Sequence, residues 1–177
     1  GHDLRDMDAT ALRERIGYVP QEIYIFAGTI AENIALHNPA APMEEVIAAA
    51  EKAGADVFIN NLPERYNTRL SERGSTLSGG ERQRLALARA LIGKPDIIIL
   101  DEATSNLDSV SERFIHQTIE KLRGSMTAII IAHRLTTVRN CDIIFVMDNG
   151  NIVESGNHNE LLVKNGLYKT LWEGTTV

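Results

Sequence analysis

The sequence predicts an α/β fold in which a largely parallel sheet is flanked by helices and interrupted by a mainly helical insert. Three observations carry this reading. Apolar runs of strand length, Asp96–Leu100 and Met126–Ala132, alternate with helical stretches, and strands apolar throughout belong to parallel sheets covered on both faces. From Thr29 to Leu70 there is little strand pattern. Asn149-Gly150 lies between two short apolar runs, a strong hairpin signal.

The elements follow in order. Asp8 can cap a short helix through Leu12 and Glu14, and Ile16–Val19 reads as a strand. Pro20 ends that strand, since proline disfavours helix in the residue before it and brings no amide hydrogen. A helical stretch is expected over Thr29–Leu36, and Pro42 reads as a first-turn proline opening a helix over Met43–Ala53. Val57–Leu62 adds a turn or two. Glu81–Ile92 reads as a helix with Leu85, Ala88 and Leu91 on its apolar stripe, stopped by Gly93 and Pro95. After the strand Asp96–Leu100 come a helix over Ser109–Leu122, the strand Met126–Ala132, a short helix at Leu135–Val138, and a hairpin of Ile143–Met147 with Asn151–Glu154. A final helical segment is expected over Asn159–Leu171.

Bulk properties limit the function classes. A chain of 177 residues fits one compact domain, or one domain with a small appendage. It buries roughly 70% of its extended surface without needing disulfides or metal staples. A net charge of -6 argues against charge-driven binding to nucleic acid or to an anionic membrane. Cys141 is the only cysteine, so no internal disulfide can form, and a reducing compartment is expected. No apolar run approaches the roughly 20 residues a membrane span needs, and the polar start Gly1-His2-Asp3-Leu4-Arg5-Asp6 does not read as a signal peptide. Direct membrane insertion of this segment is therefore not expected. A tie to a membrane would run through another protein or another part of the parent chain.

In doubly wound sheets ligands bind beyond the carboxyl ends of the strands, which directs attention to Asp101-Glu102 and His133. An aspartate at such an edge can orient Mg²⁺, and a neighbouring glutamate can activate water for attack on phosphorus. The alternative is a strand ending in solvated acids. Ser78 and Glu81 in Leu77-Ser78-Gly79-Gly80-Glu81 have capping-box spacing. The glycines admit close approach, and the start of the following helix offers free amides to a phosphate. Ser-Gly-Gly can equally be only a turn and a cap.

Taken together, these residues resemble the nucleotide-binding domain of ATP-binding-cassette (ABC) proteins. Leu77-Ser78-Gly79-Gly80-Glu81-Arg82-Gln83-Arg84 matches the family signature, with Glu81 where many members carry Gln. The Walker B pattern ends in Asp101-Glu102, Ser105-Asn106-Leu107-Asp108 resembles the D-loop, His133 the switch histidine, and Gln21 the Q-loop glutamine. The resemblance spans nearly the whole chain. It implies a P-loop NTPase-like fold, with residues 1–24 and 93–177 as a partial RecA-like core and residues 25–92 as a helical, signature-bearing subdomain with its connections.

The same resemblance implies roles. Asp101 would help hold Mg²⁺, Glu102 would act as general base or orient the attacking water, and His133 would contact the γ-phosphate. Gln21 would contact the metal and the water while its loop reports nucleotide state. Ser78, Gly79, Gly80 and Glu81 would complete the ATP site of a second ABC ATPase domain in a head-to-tail pair, expected as a homodimer, with Asp108 organising the interface. Without the family pattern, His133, Gln21 and Asp108 could be, in turn, a structural histidine, a polar turn residue and a helix cap.

The sequence contains no Gly-x-x-x-x-Gly-Lys-Ser/Thr phosphate loop, which supplies the backbone cradle, a lysine for the β- and γ-phosphates and a hydroxyl for Mg²⁺. The domain is thus expected to be incomplete at its N-terminus. The polypeptide alone is expected neither to hydrolyse ATP nor to bind it tightly, and to present a sheet edge or apolar face to a partner.

The runs Ile25–Ile34 and Tyr66–Gly74 resemble ABC exporters of peptides, proteins, lipids or drugs, in which Glu72 and its neighbours approach the coupling helices of a transmembrane domain. The intact parent is accordingly expected to hydrolyse ATP and drive export from the cytoplasmic face of a membrane. Two other readings are a chromosome or DNA-repair ABC ATPase, disfavoured by the short interval before the signature, and a non-catalytic dimerising or regulatory module.

Overall fold

Helix α1 (Ala9–Glu14) begins where the Asp8 carboxylate accepts the Ala11 amide at 2.8 Å, satisfying one of the amides a helix start leaves without a carbonyl. The computed structural model describes residues 3–72, 76–102, 109–132 and 134–174, without the side chains of 109–111 and 116. The chain divides into two compact units, residues 1–131 and 132–177.

In the first unit, β1 (Ile16–Val19) follows α1. A short strand β2 (Gly28–Thr29) leads into α2 (Ile30–Ile34), where Thr29 and Glu32 form a reciprocal capping box. Pro42 takes the extended N-cap position before α3 (Met43–Ala53), one residue earlier than the first-turn place expected. Gly54 ends α3 in the left-handed region at φ 62°, a conformation glycine adopts without steric cost.

The insert continues through α4 (Asp56–Ile59) to β3 (Arg69–Leu70), which pairs antiparallel with β2. This two-residue ladder lacks a sequence pattern because it is too short to alternate. Helix α5 (Gly79–Leu91) starts two residues earlier than its periodicity suggests, because Ser78 and Glu81 close a capping box around its first turn.

Strand β4 (Ile97–Asp101) lies between β1 and β5 (Thr127–Ile131), parallel to both, with α6 (Ser109–Leu122) as the intervening helix. The parallel sheet with flanking helices is as predicted. Helix α5 packs on one face: Leu85 and Ala88 are fully buried, with Val19, Ile98 and Leu100, in the core that also takes in Ile30 and Ile34 of α2. Gly17 makes that approach possible, for a Cβ there would stand 2.5 Å from the Ala90 carbonyl oxygen.

Burial on both faces is not seen. In β4 only alternate residues, Ile98 and Leu100, are buried, and Ile129 and Ile131 of β5 are about half exposed at 47% and 48%. Apolar strands were expected to be covered throughout; among the described residues of this unit nothing covers the outer face of β5.

The second unit begins with α7 (Leu135–Val138) and continues into the hairpin of β6 (Ile144–Asp148) and β7 (Asn151–Gly156). Asn149 and Gly150 both have positive φ, 46° and 79°, the backbone that two-residue hairpins demand. The single terminal helix expected over Asn159–Leu171 is instead two, α8 (His158–Lys164) and α9 (Leu167–Gly174). Asn165 turns left-handed at φ 52°, and the Glu154 carboxylate accepts the amides of Leu167 and Tyr168, giving α9 its own start. Leu161 and Tyr168 centre a small separate core with Ile144 and Val146.

Candidate functional site

The carboxyl ends of β1 and β4 bring together residues far apart in the chain. Because Ile16 pairs with Ile97 and Val19 with Leu100, the turn beginning at Pro20-Gln21 and the acids Asp101-Glu102 emerge at the same edge. Gln21 Nε2 donates to Glu102 Oε2 at 2.6 Å. The Tyr18 hydroxyl donates to Asp101 Oδ2 at 3.0 Å, and that bond holds the phenol above its ordinary pKa. Asp101 is the last residue of β4, paired with Ile131, rather than the first residue after the strand.

Glu102 is partly buried and has a left-handed backbone at φ 46°, while its amide donates to the Ile131 carbonyl at 2.9 Å. A non-glycine residue held there costs on the order of 1–2 kcal/mol, and such strain concentrates at functional positions.

The second half of the constellation is the tip of α5. Ser78 is exposed; its Oγ accepts the Glu81 amide at 3.3 Å, and its own amide donates to Glu81 Oε2 at 2.7 Å. This reciprocal pair satisfies the amides of Ser78 and Glu81. By helix geometry the amides of Gly79 and Gly80 have no carbonyl within the helix; Gly79 is partly exposed at the positive end of the helix, where an anion is favoured, and Gly80 is buried. Asp108 and His133 lie outside the described residues, as do Ser105-Asn106-Leu107 and the Arg73-Gly74 end of the exporter-like run.

Three groups near these segments were not anticipated from sequence. Tyr18 alternates along β1 onto an exposed face, and its reach to Asp101 needs the β1–β4 register. The Thr29-Ile-Ala-Glu32 spacing is a readable capping box. Arg89 stands in the otherwise apolar run Leu85–Leu91, and a cation in such a run signals an obligatory set of acceptors.

Among the described residues no group of three or more His, Cys, Asp or Glu is gathered to hold a metal, and no helix is long and apolar enough to cross a membrane. One carboxylate and one carboxamide at a strand end suit a cation that keeps several waters and phosphate oxygens, as Mg²⁺ does, rather than a closed protein cage.

This geometry, acids and a carboxamide at the edge of a parallel sheet with a glycine-bearing helix start elsewhere in the unit, is that of a nucleotide-binding α/β domain. Residues 1–105 match the ABC transporter domain family, and the chain belongs to that family. It is 53% identical over 172 residues to the leukotoxin export ATP-binding protein LtxB of Aggregatibacter actinomycetemcomitans. It is 54% identical to the leukotoxin translocation ATP-binding protein LktB of Mannheimia haemolytica and 51% identical to the mitochondrial potassium channel ATP-binding subunit of Rattus norvegicus. Each match covers 97% of this chain and 24% of the relative, so the chain spans about a quarter of the length of these proteins. A bacterial Atm1-family ABC exporter solved with ATP bound superimposes with a TM-score of 0.92 at 42% identity, over 100% of this chain and 31% of that one.

Proposed function

We propose that these residues form part of the ATPase domain of an ABC exporter, which in the whole protein binds and hydrolyses ATP to drive export across a membrane. The observation that carries the reading is the convergence of Gln21, Asp101 and Glu102 at one sheet edge, with Gln21 bonded to Glu102 at 2.6 Å. The likeness to leukotoxin exporters and to an Atm1-family exporter supports it and does not favour a non-catalytic module. A relative of similar identity serves a mitochondrial potassium channel, so the cargo is not written in this segment.

In this reading Glu102 takes the proton of the attacking water or fixes its orientation, and its bond from Gln21 aims the carboxylate. Asp101, held by Tyr18, and Gln21 supply oxygen ligands to Mg²⁺, which when bound neutralises charge on the phosphates. His133 and Asp108 keep the roles the family resemblance implies, contact with the γ-phosphate and organisation of the domain interface. Gly79 and Gly80 present their amides, beside Ser78 and Glu81, to the triphosphate held by a second ABC ATPase domain, in a homodimer. Residues 1–24 and 93–177 act as the core, and residues 25–92 as the helical subdomain.

The transmembrane partner would couple through this subdomain at the cytoplasmic face of the membrane. A pocket of about 320 Å³ lined by Glu32 and by the apolar Ala31, Ala35, Leu36, Pro39, Ala41, Met43 and Val46 offers a mainly apolar seat for its coupling helices. The deciding experiment is Glu102→Gln in the full-length protein. Hydrolysis is expected to fall by about 10²–10⁴-fold, the usual reach of a positioned general base, with ATP binding retained. Turnover at the parental rate would show that the Glu102 carboxylate neither takes the proton nor orients the water.

A further inference from the structure

Tyr18 is 52% exposed, while Gly17 and Val19 on either side of it are buried. It pairs in register with Ile99 of β4. Side chains alternate along a strand, so Ile97, Ile99 and Asp101 share one face of β4, and Ile98 and Leu100 are buried on the other. Tyr18 lies on the Asp101 face, two residues back from the acid. The phenol leans along the strand to reach it, a direction open to long side chains in sheets. Its hydroxyl donates to Asp101 Oδ2 at 3.0 Å, and Oδ1 takes no part in that bond.

The residues beside Asp101 on this face, Ile99 in its own strand and Ile131 across on β5, offer no side-chain donor. A phenylalanine ring would cover the half-exposed strand as well as a tyrosine ring does, so packing does not account for the hydroxyl. The donor is also neutral. A lysine or arginine at this place would pair with the carboxylate and compete with a cation for its charge. A phenol engages one oxygen and leaves the negative charge in place. Glu102 is treated the same way: a neutral donor, Gln21 Nε2, engages its Oε2.

The number of oxygens a carboxylate can offer separates the two common hard cations. Ca²⁺ accepts carboxylates through one or both oxygens, in a larger and more flexible ligand set. Mg²⁺ demands near-ideal octahedral geometry and keeps several waters. A carboxylate clamped through both oxygens closes too narrow an angle for that octahedron.

We propose that Tyr18 is a positioning residue that holds Asp101 to the use of one oxygen, and thereby favours Mg²⁺ over Ca²⁺ at the carboxyl end of β4. The proposal rests on the ATPase reading, in which Asp101 serves the metal, and adds to it the source of the ion preference. Tyr18 touches neither metal nor nucleotide; it acts through Asp101.

The test is metal binding. The full-length protein, in excess over ADP, is titrated with Mn²⁺, whose solution electron paramagnetic resonance signal is lost on binding. The bound Mn²⁺ is then displaced with Mg²⁺ or with Ca²⁺, in the parent, Tyr18→Phe and Asp101→Asn. Tyr18→Phe keeps the ring and removes the hydroxyl. It is expected to weaken Mg²⁺ by on the order of tenfold, the low end of what losing a hydrogen bond to a ligating carboxylate costs. Ca²⁺ is expected to change by less than about twofold, so the ratio of the two affinities falls by about tenfold. Asp101→Asn is expected to weaken both ions.

A tyrosine that served only the strand would, when replaced, weaken both ions alike or neither. An unchanged ratio in Tyr18→Phe, with both ions weakened in Asp101→Asn, therefore overturns the role of Tyr18 alone. Parental affinity for both ions in Asp101→Asn overturns the metal role of Asp101, and that of Tyr18 with it. If Tyr18→Phe fails to accumulate as folded protein, Tyr18→Leu decides by the same ratio.

Discussion

Gln21 and Glu102 stand 81 positions apart and are joined by a 2.6 Å hydrogen bond from Nε2 to Oε2. The bond engages the only donor group of the Gln21 side chain with the carboxylate, and the side-chain oxygen is not used in it. Replacing Gln21 by Ala removes the group that aims Glu102. In the full-length protein, kcat is expected to fall by on the order of tenfold to a hundredfold with little change in KM, read by phosphate release. An effect on KM alone would place Gln21 in nucleotide affinity rather than in aim.

At the tip of α5 two substitutions separate folding from binding. Ser78→Ala deletes one arm of the capping box and is expected to cost about 0.5–2 kcal/mol of stability, measured as a shift in the chemical unfolding midpoint. Gly79→Val leaves the cap in place and puts a branched side chain at the partly exposed start of the helix. It is expected to abolish ATP-induced dimerisation, followed by sedimentation or light scattering. Normal dimerisation in Gly79→Val would remove the α5 tip from the composite site.

The polypeptide of residues 1–177 contains no phosphate loop, and Ile129 and Ile131 lie exposed on β5. Purified by itself it is expected to release no phosphate from ATP above the buffer rate, to show no saturable nucleotide binding in the micromolar range, and to self-associate with rising concentration. Turnover by this polypeptide with no added chain would contradict the need for such a loop.

Gly17 faces α5 with no room for a side chain: its nearest prospective neighbour is the Ala90 carbonyl oxygen, a backbone atom that cannot swing aside. Gly17→Val is expected to destabilise the first unit by about 1–3 kcal/mol, the usual cost of overpacking, through separation of β1 from α5. A chemical unfolding midpoint equal to the parent's would show that the helix can move away freely.

In the second unit, His158 Nδ1 lies 2.8 Å from the Tyr168 hydroxyl, and its ring stands edge-on to Trp172 at 4.6 Å. Burial, with the nearby Arg139 cation, holds this imidazole below the usual 6.5. The unfolded chain therefore takes up the proton first as pH falls. The stability contributed by neutral His158 is fully present above the ordinary histidine value and is lost as pH falls from 6.5 through the lower folded-state value. Trp172 is the only tryptophan, so its emission should report a thermal midpoint that declines across that acid window. His158→Gln is expected to flatten the decline; an unchanged profile would assign it to other groups.

How much of this was legible beforehand differs by element. Helix α6 (Ser109–Leu122) and strand β1 (Ile16–Val19) have the predicted bounds, because apolar periodicity and a breaking residue coincide there. The break between α8 and α9 was not read, since it depends on a left-handed Asn165 and on Glu154 reaching across from β7, and neither leaves a periodic trace. At the site, residue types and spacing singled out Ser78, Asp101 and Glu102, while Gln21 was reached only through the family resemblance. That Gln21 touches Glu102, that Tyr18 touches Asp101, and that Arg89 donates to the carbonyls of Tyr24 and Asn33 all follow from strand register and helix packing, which a local pattern does not encode.

The left-handed backbone of Glu102 has a consequence for anyone seeking to harden this domain against heat. Glycine at that position would relax the chain and raise the melting point, yet it would erase the carboxylate. Endurance and turnover thus compete for a single residue, and a thermostabilised version selected without an activity screen would be drawn toward an inert one.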